Sequence, residues 1–156
     1  MVEYNIEPHK GIGPIKIGMT REQSRKAIGL KPKPFRKSAS DKIPTDAYYQ
    51  NSLQVFFDDN KHVEYIEVSG PGPIRVLYKG IDFFSLKADE AIALISKDAP
   101  YDPNDPELGY SYVFPALELS IWRPVLPDPE DDEDNTSTDQ GFSTIGIGRP
   151  GYYSED

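Results

Sequence analysis

His9 and His62 are the only imidazoles in a chain that contains no cysteine. Neither histidine stands in a metal-ligand spacing such as H-x-x-x-H, so both read as exposed or structural side chains. Without cysteine, disulfides, thiolate nucleophiles and Cys-based zinc or iron–sulfur sites are excluded together. Asp58 and Asp59 are adjacent carboxylates, but Asp58-Asp59-Asn60-Lys61 has the composition of a hairpin turn, where Asp bonds its own backbone. Gly11-Ile12-Gly13 precedes a proline and no P-loop lysine follows, which gives phosphate cradling little support. The run Asp128-Pro129-Glu130-Asp131-Asp132-Glu133-Asp134 lacks the glycine and the closing glutamate of an EF-hand loop, leaving only weak, nonspecific cation association.

No nucleophile–base pair, metal set or cofactor motif emerges, so the expectation is a protein that is not an enzyme and uses no cofactor and no metal. What remain are residues of recognition. Asp128, Glu130, Asp131, Asp132, Glu133 and Asp134 are candidate partner-binding charges. Tyr152 and Tyr153, read as exposed near a polar C-terminus, are candidate contact anchors.

The whole chain of 156 residues has a net charge of −9, which opposes nucleic acid and anionic membrane alike and suits a basic protein partner. Acidity of this kind also serves solubility alone. At this length residues 1–156 form a single domain, and 15 prolines with 12 glycines argue for short elements and many turns. The N-terminal run MVEYNIEPHKG has no basic and apolar signal regions, and no stretch of about 18 uncharged apolar residues occurs. A cytoplasmic, soluble protein is expected.

The elements that would position these residues are organised around Gly11 to Gly29. Thr20 followed by Gln23 is a capping-box pattern, and Gly29 ends the helix that it starts, over Thr20 to Ile28. Val2 to Ile6 reads as a short edge strand. Lys31 to Pro44, with three prolines and the one basic cluster, reads as an exposed loop. Tyr48 to Phe57 alternates, with Leu53, Val55 and Phe57 on one face, as one strand, and His62 to Val68 returns beside it. Ser69-Gly70-Pro71-Gly72-Pro73 marks a midpoint. Beyond it Ile74 to Tyr78 is strand-like, Lys79-Gly80-Ile81 echoes Lys10-Gly11-Ile12, and Ala88, Ala91, Ile92 and Ile95 form a helical stripe up to Lys97. Tyr110 to Phe114, Leu117 to Trp122 and Phe142 to Gly148 read as strands, the last closing the sheet. Tyr48, Tyr49, Tyr110 and Tyr112 are candidate core residues. The same order of elements twice predicts half-repeats over about 9–69 and 79–148, with residues 127–140 as an acidic loop. The class is α+β, an antiparallel sheet with helices on one face, built from two similar helix-plus-strands halves.

The run GIGPIKIGMTREQSRKAIG, followed by a loop and a hairpin ending in Ile66-Glu67-Val68, resembles the opening motif of small α/β proteins with the architecture of β-lactamase inhibitor proteins. Many of those are tandem repeats of a helical segment packed on antiparallel strands. The Gly-Met-Thr helix start is also similar to that of outer-membrane assembly lipoproteins, but the signal peptide and lipid-bearing cysteine of that family are missing here. Compact acidic proteins of this kind occur among immunity proteins of bacterial toxin–immunity modules, including contact-dependent growth inhibition. The resemblance therefore implies a stoichiometric inhibitor of a cognate toxin domain, a nuclease being one such toxin. A protein-binding module of another pathway, with no toxin partner, is the alternative.

Overall fold

The helix start read from Thr20 and Gln23 is realised in the computed structural model, which describes residues 2–126 and 141–153. Helix α1 spans Arg21–Ile28. Gln23 N–H donates to Thr20 Oγ1 at 3.1 Å, and Thr20 N–H donates to Gln23 Oε1 at 2.9 Å. Gly29 ends the helix at φ 75°, a left-handed conformation that costs a residue without Cβ little. Yet α1 buries only Ser24, so apolar contact is not its main attachment. Arg21 and Arg25, four residues apart on one helix face, both donate to the Asp46 carboxylate instead. Arg21 Nη2 lies 2.8 Å from Asp46 Oδ1, and Arg25 Nε lies 2.7 Å from Oδ2. Burial alone would raise the Asp46 carboxyl, but the hydrogen bonds from Arg25 and Arg21 outweigh it and hold the group below the usual carboxylate range.

Helix α2, Ala88–Ser96, is attached in the ordinary apolar way. Glu90 Oε1 accepts from Lys87 N–H at 2.9 Å at its start. Ala88, Ala91 and Ile95 are buried, while Ile92 packs half-buried against the same core. No helix among the described residues is long and apolar enough to cross a membrane.

In chain order the strands are β1 (Val2–Glu7), β2 (Gly11–Ile12), β3 (Ile15–Lys16), β4 (Lys33–Phe35), β5 (Thr45–Tyr48), β6 (Leu53–Phe57), β7 (Val63–Ser69), β8 (Ile74–Tyr78), β9 (Ile81–Asp82), β10 (Ser111–Phe114), β11 (Leu119–Trp122) and β12 (Thr144–Gly148). The class is α+β, with its antiparallel strands distributed over two sheets. A five-stranded sheet has the order β3-β2-β1-β8-β9, and a seven-stranded sheet has the order β10-β11-β12-β7-β6-β5-β4. Every pairing is antiparallel except β1 with β8. Each half runs through paired strands, a helix and an antiparallel meander, and the two meanders meet where β7 pairs with β12. Both helices and the five-stranded sheet contribute to one apolar core together with Leu53, Val55, Ile66, Val68, Ile145 and Ile147 from the large sheet.

Several boundaries differ from those read in the sequence. β1 is an interior strand, because β8 returns parallel beside it and β2 pairs on its other side. The single strand expected over Tyr48 to Phe57 is two, broken where Tyr49, Gln50 and Asn51 all take positive φ (53°, 53° and 74°). The loop expected over Lys31 to Pro44 contains β4, a sheet edge, where Pro34 interrupts no ladder bond on the paired side. Leu117 belongs to a 3-10 turn, Pro115–Leu117, and the next strand begins only after the left-handed Glu118. β12 begins at Thr144 rather than Phe142, and it lies inside the sheet, bonded to β11 on one side and β7 on the other.

Candidate partner-binding face

Strand alternation divides the side chains of the large sheet into two sets. Leu53, Val55 and Phe57 of β6, Ile66 and Val68 of β7 and Ile145 and Ile147 of β12 point into the core. Phe56, Tyr65, Glu67, Gly146, Gly148, Ser120 and Trp122 alternate with them and so lie on the opposite face, away from both helices. Tyr65 is 6% exposed yet stands outside the main core cluster. Something other than the helices must cover it.

The cover comes from the C-terminal segment, and the sequence of β12 makes room for it. Thr144-Ile145-Gly146-Ile147-Gly148 turns its isoleucines inward and its glycines outward. A Cβ at Gly146 would lie 2.3 Å from Tyr65 Oη, and one at Gly148 would lie 2.6 Å from the Cβ and Cγ of Tyr152. The tyrosines therefore rest on bare backbone. Tyr65 stacks on Tyr152 with ring centroids 4.8 Å apart and meets Phe56 edge-on at 5.6 Å.

Two further devices fix the segment. The Glu118 carboxylate, 2% exposed, accepts backbone N–H groups of Gly151, Tyr152 and Tyr153, the last two at 3.1 and 2.9 Å. The hydroxyls of Tyr65, Tyr153 and Ser120 form a closed triangle with sides of 2.8 to 2.9 Å, in which each group can donate once and accept once. Burial pushes the Tyr152 phenol up to about 12, and burial followed by the neighbouring Tyr153 pushes Tyr65 well above its ordinary value.

Beside the tyrosines a cleft of about 390 Å³ crosses this face, with aromatic walls that include Phe56, Tyr65 and Trp122. Among the described residues its charged lining is Glu67, Asp105 and Glu107 against the single cation Lys37. Lys37 Nζ sits over the Phe56 ring, 4.3 Å from its centroid. Burial raises the Glu67 carboxyl, opposed by Lys37. The Glu67 carboxylate accepts no hydrogen bond and makes no direct ion pair among the described residues. Leu108, Tyr110, Trp122, Val125 and Leu126, all exposed, gather at the adjoining end of β10 and β11, where Leu126 packs on Gly109.

Of the residues singled out by sequence, Tyr152 is exposed on this face, as its position near a polar C-terminus predicts. Tyr153 is half-buried with its hydroxyl engaged, which corrects its reading as an exposed residue. Tyr110, taken as core, is 41% exposed. Asp128, Glu130, Asp131, Asp132, Glu133 and Asp134, and the loop 127–140 that contains them, lie outside the described residues. Asp58 is the turn residue expected of it, accepting from Asn60 N–H and His62 N–H. His9 Nε2 is 2.8 Å from the Ala116 carbonyl oxygen. Among the described residues no group of three His, Asp or Glu side chains is placed to hold a metal ion. Sequence reasoning missed Tyr65, Glu67, Glu118 and Trp122; the outward glycines of β12 were the available signal. Comparison of the chain with family models, curated proteins and solved structures returns no match.

Proposed function

We propose that the protein is a non-enzymatic, cytoplasmic binding protein that neutralises a basic bacterial toxin domain by stoichiometric contact through the outer face of its seven-stranded sheet. The carrying observation is that face itself: both helices pack on the opposite side, and the exposed side presents fixed aromatic rings around a cleft with more carboxylates than cations. Rigid aromatics supply contact area at low entropic cost, and complementary charge sets approach and orientation. The backbone anchor at Glu118 and the hydroxyl triangle hold the rings in place before any partner arrives.

The test is protection. A toxin domain encoded beside this gene is expected to be lethal when expressed alone and harmless when expressed with this protein, and the two should form a complex of fixed stoichiometry. Trp122→Asp should weaken that complex by about 30-fold or more, the loss of a central aromatic anchor. Lethality unchanged by co-expression would end the toxin reading. Full affinity in Trp122→Asp would move the interface elsewhere.

A further inference from the structure

The register of the large sheet places one carboxylate and one indole on either side of β12. Glu67 is directly opposite Gly146, and Trp122 is directly opposite Thr144, so the two flank β12 from β7 and β11, two residues apart along it. Trp122 is 41% exposed, whereas Glu67 is only partly exposed and without a hydrogen-bond donor or direct ion pair among the described residues. The cleft already shows which charge it tolerates, because the chain's own Lys37 ammonium rests on the Phe56 ring at its other side. A half-buried carboxylate with no hydrogen-bond donor, which the Lys37 charge reaches only through space, is a receptor for a cation.

We infer that this cleft receives one arginine side chain of the partner, its guanidinium lying against Trp122 and donating to Glu67. The inference rests on the binding face described above for the source of that arginine, a protein loop. Arginine fits better than lysine on three physical counts. Its planar guanidinium stacks on an indole, its paired N–H groups match both oxygens of a carboxylate, and it is more weakly hydrated than an ammonium. Asp105 and Glu107 on the opposite rim add negative potential; Asp105 Oδ2 is engaged by the Ser111 hydroxyl and Oδ1 by Glu107 N–H, so it contributes field rather than a free fork.

Trp122 is the one tryptophan in the chain, which makes its fluorescence a reporter placed in the cleft. Titration with acetyl-arginine amide should give a saturable change, and acetyl-citrulline amide, its neutral isostere, should bind at least about tenfold more weakly, the scale of one charge-assisted pair. Acetyl-lysine amide should fall between them. Glu67→Gln keeps the size of a half-buried side chain that no hydrogen bond or direct ion pair ties to the fold among the described residues, so the fold is expected to persist, and arginine affinity should drop to the level of citrulline. Glu67→Asp, which keeps the charge but shortens its reach, should weaken arginine binding by a smaller factor. Equal binding of arginine and citrulline by the parent, or unchanged arginine binding in Glu67→Gln, overturns the inference. A toxin complex that forms without arginine selectivity would overturn this subsite alone. Arginine selectivity in a protein that does not protect against the toxin would leave the subsite standing and remove the toxin.

Discussion

Asp46 shows how one side chain can substitute for an apolar helix face. Its carboxylate is buried and receives Arg21 and Arg25 from α1, a helix that otherwise buries only a serine. The folded pKa of Asp46 is depressed, so the stability that it contributes is present above the unfolded value of about 4 and is lost as pH falls toward the lower folded one. Asp46→Asn should therefore cost about 2–3 kcal/mol at neutral pH, at or below the low end for a broken buried pair because the Arg25 side chain is 36% exposed. Urea unfolding at pH 7 and again at pH 3 checks both parts: the gap between variant and parent should narrow in acid. A variant as stable as the parent at pH 7 would mean that α1 is held by something else. Glu67 has the opposite sign. Its folded pKa is raised, so the stability linked to its protonation is present in acid and lost as pH rises through the folded value.

Among the elements, β12 joins the core to the outer tyrosine platform because its two faces have different compositions. Its isoleucines belong to the core and its glycines form the floor beneath Tyr65 and Tyr152. Gly146→Ala places a methyl group against a phenol oxygen that two hydrogen bonds hold in position, and overpacking of that kind costs about 1–3 kcal/mol. Calorimetry should show a lower Tm, and the same variant should bind the partner more weakly because the tyrosine platform shifts. Affinity unchanged alongside a lower Tm would separate the platform from the interface. The fold class, both helices and the capping of α1 were legible because local rules determine them: Thr20 with Gln23, Gly29, and the stripe Ala88, Ala91 and Ile95. The outer face of the large sheet was not. It depends on which strands become neighbours, and nothing local in Thr144-Ile145-Gly146-Ile147-Gly148 says that β7 will bring Tyr65 over Gly146. The break at Tyr49 to Asn51 escaped for a related reason, since counting alternate residues continues across a turn whose tyrosine still looks like strand.

At the scale of the whole molecule, charge governs approach. The net charge of −9 includes six acids between Asp128 and Asp134, and clustered charge of that kind speeds association with a basic partner at low ionic strength. Replacing Asp128 to Asp134 with a neutral Gly/Ser linker should leave Tm nearly unchanged while slowing association and flattening its salt dependence in stopped-flow measurements. Equal association rates at low salt would confine recognition to the sheet face.

Topology also imposes an order in time. The strand that bridges the two meanders is the last of the twelve described strands, so β7 and β11 wait for Thr144–Gly148 before the sheet between them exists. Translation delivers this keystone after the other described strands, and Tyr152 and Tyr153 follow it. A chain that lacks β12 has two unjoined fragments of the large sheet with unpaired edges, a form suited to rapid proteolysis. A protein stopped at Gly141 should therefore unfold without a cooperative transition, which circular dichroism on heating checks; a sharp, parent-like transition would show that the two meanders fold without their bridge.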